Sequence, residues 1–225
     1  SLEAVYYSKF KKNNVKYLPW HIPLRNKIKP NQESKNKTKN KSLKILHLGN
    51  LNAMITYSSL LFLNQHLFSN LNKYGSKGFE FWIVGNHEKG ILSKKILESY
   101  KHYNFVKIFG YVEDLKPIWK KADLQLIGSN IQTGIRTRIV ESLANATPVL
   151  TTSNDAKGIY GLKDKKNILI ANSANQFRNI FLDVINNKLD IKKIALSGHK
   201  LHLMFHNEDY HKKKLGHFIK ERNLI

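Results

Sequence analysis

"LQLIGSNIQTGIRTRIVESLANATPVLTT" (Leu124–Thr152) holds two short apolar runs, Leu124–Gly128 and Pro148–Thr152, on either side of a segment with helical period. Runs of four or five apolar residues closed by Gly or opened by Pro read as buried strands. Between them, Ile139, Val140 and Leu143 recur at the spacing of one helix face, so a helix is expected from near Thr137 to Ala144. Strand, helix, strand within 29 residues forms a crossover unit, which joins parallel strands and is right-handed.

The same theme repeats outward from this unit. "LKILHLG" (Leu43–Gly49), "FEFWIVG" (Phe79–Gly85), "FVKIFG" (Phe105–Gly110) and "NILIA" (Asn167–Ala171) bring the expected strands to six. Helical patterns fall between them at Tyr57–Leu71, Ile91–Tyr100 and around Asp114–Lys121. After the sixth strand come only helical segments: Ala174–Asn186, roughly Ile191–Met204, and one from about Glu208, with Asn207 as N-cap. The expected fold is α/β, a Rossmann-like doubly wound parallel sheet with helices on both faces and a helical C-terminal tail. The glycines that close strand after strand sit at the C-terminal sheet edge, where such sheets bind ligands.

Residues 1–42 read differently. They offer one short strand, "VKYLP" (Val15–Pro19), and then a Lys/Asn/Pro-rich linker without apolar period. The expected division is a lead-in at 1–42, the α/β domain at 43–206 and a final helix at 207–225. The chain opens on Ser1 rather than Met, as a piece of a longer protein would.

Composition bounds the function. The 225 residues include no cysteine, which excludes disulfides, thiolate zinc sites and cysteine nucleophiles. No run approaches the roughly 18 apolar residues of a membrane span. The formal charge of +22 points to an anionic partner: nucleic acid, a phosphorylated ligand or an anionic membrane surface. Much of it is lysine spread along the whole chain beside asparagine, as in "NQESKNKTKNKSLK" (Asn31–Lys44), which equally fits a composition bias. Neither GxGxxG nor GxxxxGK[ST] nor GxSxG occurs, which disfavours NAD binding, P-loop chemistry and a serine nucleophile elbow. His199, His202 and His206 share helical spacing, but no carboxylate accompanies them; a polar helix face is expected there rather than a metal site.

The sharpest local signal lies inside the opening stretch. Helix N-termini favour acidic residues, because their unpaired N–H groups make that end positive. Here Arg136 and Arg138 stand there instead, after Gly134 and Ile135, with Glu141 three residues beyond Arg138. Placing these charges against the helix dipole costs a few tenths to ~1 kcal/mol each. The arrangement suits a diphosphate on the helix N-terminus, with Glu141 accepting from ribose hydroxyls. Spacing alone fits a solvent-facing Arg138–Glu141 ion pair equally well.

"GIRTRIVESLANATPVLTTSNDAKGI" (Gly134–Ile159) resembles the nucleotide-sugar signature of the GT-B glycosyltransferases, specifically the large retaining family 4. Four further stretches match in order: "VKYLPWHIPL" (Val15–Leu24), "ILHLGNLN" (Ile45–Asn52), "WIVGN" (Trp82–Asn86) and "VKIFGYVEDLKPIWKKADLQLIGS" (Val106–Ser129). The resemblance implies a C-terminal, donor-binding domain of a GT-B enzyme. Arg138 would meet the donor diphosphate and Glu141 the ribose, the two residues carrying catalysis here. Arg136 matches an additional Arg of one branch. Gly49 and Asn50 would form the first loop against the ligand, Gly85 the second, and the backbone at Tyr111 and Val112 would face the base. Thr133 stands where the first glutamate of the family's Glu-x7-Glu motif belongs, and the loop Asn50–Ser59 lacks the family's Arg and Lys. Ala146 replaces the usual Gly, leaving Asn145 as the expected left-handed cap.

By the same resemblance the substrate is a nucleoside-diphosphate sugar, with no metal or other cofactor. The acceptor is a glycan or lipid-linked acceptor, reached through an N-terminal domain that this chain lacks, so the chain alone is expected to transfer no sugar. The sugar would be a hexose, transferred with retention, the donor's diphosphate receiving the acceptor proton. The location implied is cytoplasmic, with peripheral contact to an anionic membrane and no nucleic-acid partner. Two alternatives stand beside this reading: a basic nucleic-acid-binding α/β module, and a degenerate glycosyltransferase-like domain that binds a partner protein.

Overall fold

A computed structural model describes residues 18–22, 42–71, 78–88, 90–129, 131 and 134–221. Six strands form one sheet: β1 (Leu43–Leu48), β2 (Phe79–Val84), β3 (Val106–Gly110), β4 (Leu124–Ile127), β5 (Val149–Thr152) and β6 (Leu169–Ala171). Their order is β3-β2-β1-β4-β5-β6, and every pairing is parallel. The helices among the described residues include α1 (Met54–Leu63), α2 (Ile91–Glu98), α3 (Lys116–Lys121), α4 (Thr137–Ala144), α5 (Ser153–Ala156), α6 (Ala174–Ile185), α7 (Ile191–Leu201) and α8 (Glu208–Glu221), with a helical turn at Ser69–Leu71 and π-helical turns at Asn64–Phe68 and His202–His206. This is the expected Rossmann-like α/β fold with a helical tail.

The strands read as continuous apolar runs because both faces of the sheet are covered. Ile45, Phe81, Leu124, Leu126 and Leu150 face one way and pack with Leu60 and Leu63 of α1 and Phe177 and Phe181 of α6. Their neighbours in sequence point the other way, as the two-residue period of a strand requires. Leu46, Leu48, Trp82 and Val84 meet Ile118 and Trp119 of α3, while Ile127 and Val149 meet Ile139 and Val140 of α4. Each such buried side chain contributes roughly 1.5–3 kcal/mol. A surface pair such as Lys101–Glu98 contributes about 0–1 kcal/mol, so the two apolar layers dominate stability. Strand β3 lies at the sheet edge, where Ile108 and Phe109 remain partly exposed.

Several local expectations shift. Helix α1 starts three residues before Tyr57 and continues through a π-helical turn at Asn64–Phe68. The Asn64 side chain is held there by the hydroxyls of Ser99 (2.8 Å) and Tyr103 (2.8 Å). Strand β6 starts two residues after Asn167, whose side chain is occupied by Lys163 N and Gly161 O. The short helix α5 was absent from the sequence reading; Thr152 caps it by accepting from Asp155 N. Of the expected strand Val15–Pro19, residues 15–17 lie outside the described residues, and Leu18 and Pro19 are not in a strand.

The end of α4 corrects the Asn145 expectation. Ala146 takes the left-handed conformation (φ 50°), while Asn145 stays at φ −92°. Thr147 N–H bonds Ser142 O (2.9 Å) and Ala146 N–H bonds Leu143 O (3.2 Å), a Schellman closure. Asn145 keeps a negative φ, and its side chain donates to Glu141 O at 2.8 Å.

Candidate functional site

The strand order reverses between β1 and β4, and the crevice at their C-terminal ends is where such sheets bind ligands. Two glycine-closed loops frame it. Gly49 N–H bonds Val84 O (3.0 Å), and Gly85 N–H bonds Gly110 O (2.8 Å). Gly85 has φ +151°, and a Cβ on it would lie 1.7 Å from the Gly49 carbonyl oxygen. Only glycine permits this approach. The two loops then repeat one turn: Asn50 Oδ1 accepts from Asn52 N and Asn86 Oδ1 from Glu88 N, each at 3.0 Å.

Helix α4 supplies the opposite wall. It enters the crevice at Arg136, the N-cap residue, without a side-chain cap and without an acidic residue in its first turn. Its apolar side is fixed to the sheet by Ile139 and Val140, and the Ser142 hydroxyl donates to the Gln125 side chain of β4. The result is a cavity of about 560 Å³ between the β1 and β2 loops and the start of α4.

Arg138 reaches across this cavity. Its Nη1 donates to Leu48 O at 2.7 Å, and a Cβ on Gly49 would sit 2.5 Å from that nitrogen. Gly49 thus makes room for the guanidinium, a demand visible only in three dimensions. Burial, then the neighbouring Arg136 charge, pulls the Arg138 pKa down to about 10, while Asp155 and Glu141 oppose the shift. Arg138 therefore stays cationic at neutral pH. The paired Arg138–Glu141 on a solvated helix face does not describe it, because the guanidinium turns inward to β1.

Arg136 behaves differently. It is 6% exposed, and its Nε lies 2.6 Å from Asp155 Oδ1, while Nη2 donates to Ile131 O at 2.5 Å. Asp155 is itself buried and accepts from Ser129 N (2.7 Å), Ser129 Oγ (2.8 Å) and Thr152 Oγ1 (2.7 Å). The sequence reading turned both arginine charges toward the ligand; in the structure a carboxylate of the protein already balances one of them. Asp155 was missed by that reading. Its signal was present in "TTSNDA", a threonine three residues before an acid, which is an N-cap pattern.

His47 was also passed over. It is fully buried on β1, with Nδ1 3.0 Å from Leu126 O. Burial first, then the Arg138 charge, lowers its pKa to about 3, so the ring is neutral. One histidine in an otherwise apolar strand, "LKILHLG", was the available clue.

Gly49, Asn50, Gly85, Tyr111, Val112, Ile135, Arg136, Arg138 and Glu141 all line the cavity. Gly134, at φ +55°, lies next to it in the chain and does not line it. Thr133 lies outside the described residues.

The histidine series is built otherwise than expected. His202 and His206 are fully buried rather than on an open polar face. His202 Nε2 lies 3.0 Å from Ile22 O, and His206 Nδ1 and Nε2 lie 2.7 Å from Trp20 O and 2.9 Å from Tyr160 O. His199 Nδ1 meets Leu143 O at 3.0 Å, and His211 Nε2 bonds Pro19 O. His202, His206 and His211 tie the segment 18–22 to the end of α7 and the start of α8, while His199 joins α7 to α4. Among the described residues no group of three or more His, Cys, Asp or Glu is placed to hold a metal ion. No helix among them is long and apolar enough to cross a membrane.

A crevice with a cationic helix end, one inward guanidinium and one nearby carboxylate is suited to a phosphorylated ligand that also carries hydroxyls. Solved structures share the fold. A glycosyltransferase from Rickettsia africae ESF-5 superposes with a TM-score of 0.63 at 17% identity, over 80% of this chain and 48% of that one. Anabaena HepE, solved in complex with UDP and glucose, gives 0.62 at 16% identity, over 80% and 48%. Sucrose-phosphate synthase from Thermosynechococcus elongatus gives 0.74 at 12% identity, over 100% and 57%. The chain thus spans about half the length of the solved structures it matches, one half of a GT-B architecture. No curated protein matches the sequence. Residues 42–187, well over half of the chain, match the family described as glycosyl transferases group 1. With its signature helix at the sheet's switch point, the chain belongs to the glycosyl transferases group 1 family.

Proposed function

We propose that this chain is the donor-binding part of a retaining glycosyltransferase that uses a nucleoside-diphosphate sugar. The observation that carries the reading is Arg138, held against Leu48 O and Gly49 at the β1–β4 switch point under the N-terminus of α4. That end of the helix and the guanidinium offer the diphosphate two sources of positive potential. Both act where charge grows as the nucleoside diphosphate departs. Glu141, on the same cavity wall, accepts from the ribose hydroxyls, and the backbone at Tyr111 and Val112 borders the base. The complex of HepE with UDP supports this ligand class.

In this reading residues 43–206 bind the donor, 1–42 lead in from an N-terminal domain with the acceptor site, and 207–225 cross back to it. A hexose passes to a glycan or lipid-linked acceptor in glycan biosynthesis, without a metal, and the diphosphate takes the acceptor proton. The chain alone binds donor and transfers nothing. The work is done in the cytoplasm, with peripheral attraction of the basic chain to anionic membrane, testable by flotation with anionic liposomes.

Calorimetry with UDP, GDP and ADP tests the proposal. One of them is expected to bind more tightly than about 1 mM. Binding weaker than that for all three overturns it, as does binding unchanged by Arg138→Ala and Glu141→Ala.

A further inference from the structure

The chain carries two arginines at the start of α4, and the structure treats them unequally. Arg138 points across the cavity to β1, whereas Arg136 is buried in an ion pair with Asp155 at 2.6 Å. Asp155 accepts four hydrogen bonds, from Arg136 Nε, the Ser129 amide, the Ser129 hydroxyl and the Thr152 hydroxyl. Its carboxylate therefore joins the end of β5 to Ser129, two residues after β4, and to the N-cap of α4. Arg136 extends the joint by donating to Ile131 O, and its own carbonyl receives the Ile139 amide (2.9 Å), which opens the helix. Arg138 follows two residues later on that first turn.

We propose that Asp155 and Arg136 form a positioning pair that sets the start of α4, and so the placement of Arg138, while leaving the ligand's phosphates to Arg138 and the helix end. A buried pair with zero net charge adds rigidity without adding positive potential to the cavity. A side chain serving as a phosphate ligand would instead carry its charge to the ligand. The inference rests on the donor-site reading for its consequence on nucleotide affinity, and on the geometry alone for its consequence on α4.

The test uses the whole chain with UDP, GDP and ADP as probes in calorimetry at several KCl concentrations. Asp155→Asn and Arg136→Gln each remove one charge and leave the other buried without its counter-charge, so each is expected to weaken nucleotide binding at least tenfold. The double variant, Arg136→Gln with Asp155→Asn, is a neutral pair of similar shape. It is expected to recover at least threefold of that loss and to keep the wild-type salt dependence. Arg138→Gln is expected to weaken binding and flatten the salt dependence, because a charge that meets phosphate is lost.

Single variants that bind as the wild type does would reduce the pair to packing and overturn the proposal. A double variant as weak as the singles, with a flattened salt dependence, would make Arg136 a direct phosphate ligand and also overturn it. Amide exchange without ligand judges the geometry separately. The Ser129 and Ile139 amides are expected to exchange at least tenfold faster in both single variants and to regain protection in the double. If the wild type binds none of the three nucleotides, the donor-site reading fails while these amides still report on the pair. Unchanged protection at Ile139 in the single variants then overturns the pair itself.

Discussion

At the start of α4 two arginines meet the main chain and a carboxylate; at the end of α7 two histidines meet main-chain carbonyls alone. Both regions place basic side chains in buried or partly buried surroundings. A guanidinium cannot shed its proton to escape burial, so Arg136 takes Asp155 as a counter-charge, and Arg138 keeps its charge even with a pKa drawn down to about 10. An imidazole can shed it. Burial, opposed by the bond to Ile22 O, lowers His202 to about 4, and the neutral ring serves as a donor between segments. The comparison separates charge held for a ligand from a basic residue, His202, used as a neutral strut.

Removing the counter-charge breaks the comparison at its strongest point. Asp155→Ala leaves the Arg136 guanidinium buried without a partner carboxylate and is expected to cost about 3–5 kcal/mol. In a chain of this size that appears in calorimetric melting as a fall of about 10 °C. A shift below 2 °C would mean that the Arg136 region relaxes freely and is not built around the pair.

Acid tests the other side. In the unfolded chain His202 protonates near its ordinary pKa of 6.5, whereas the folded ring resists until about 4. The unfolded state therefore binds more protons between these values, and stability falls as pH drops from 6.5 to about 4. The loss is on the order of 3 kcal/mol and levels off below pH 4. His47 adds a loss of the same sign that continues to about pH 3. Denaturant unfolding across pH is expected to show a shallower fall in His202→Gln. An unaltered slope would show that His202 is charged in the folded protein and is no neutral strut.

For the ligand-directed charge, Arg138→Ala is expected to weaken nucleoside diphosphate binding about 30- to 100-fold, roughly 2–3 kcal/mol, the range of a charge-assisted hydrogen bond. Calorimetry with the best-binding nucleotide checks it. A salt dependence flattened as much by Arg136→Gln as by Arg138→Ala would erase the distinction between the two arginines. The smallest effect belongs to Glu141→Gln, which keeps acceptor oxygen but loses charge. A loss of about fivefold, near 1 kcal/mol, is expected with the nucleotide and none with inorganic pyrophosphate, which has no ribose.

The sheet was legible because burial on both faces forces long apolar runs, and glycines mark where those runs stop. Helix α4 was legible too, from Ile139, Val140 and Leu143 on one face. Gly49, Asn50, Gly85, Tyr111, Val112, Ile135, Arg136, Arg138 and Glu141, singled out from four separate stretches by family resemblance, line one cavity. What escaped were partnerships between distant segments. Asp155 stands 19 residues from Arg136, and His202 stands 180 residues from Ile22. No periodicity links such positions. The left-handed residue after α4 also escaped, because Asn145 has a side-chain bond to Glu141 O that a propensity for turns does not register.

By itself the sequence determined the order of strands and helices, the glycine-closed loops and the two arginines at one helix start, since these follow from local sterics and the period of apolar burial. Only the tertiary structure decided which arginine is spent inside the protein and which is left to the cavity. That choice depends on where a carboxylate lands when β5 settles beside β4, since Asp155 then offers Arg136 a counter-charge inside the protein.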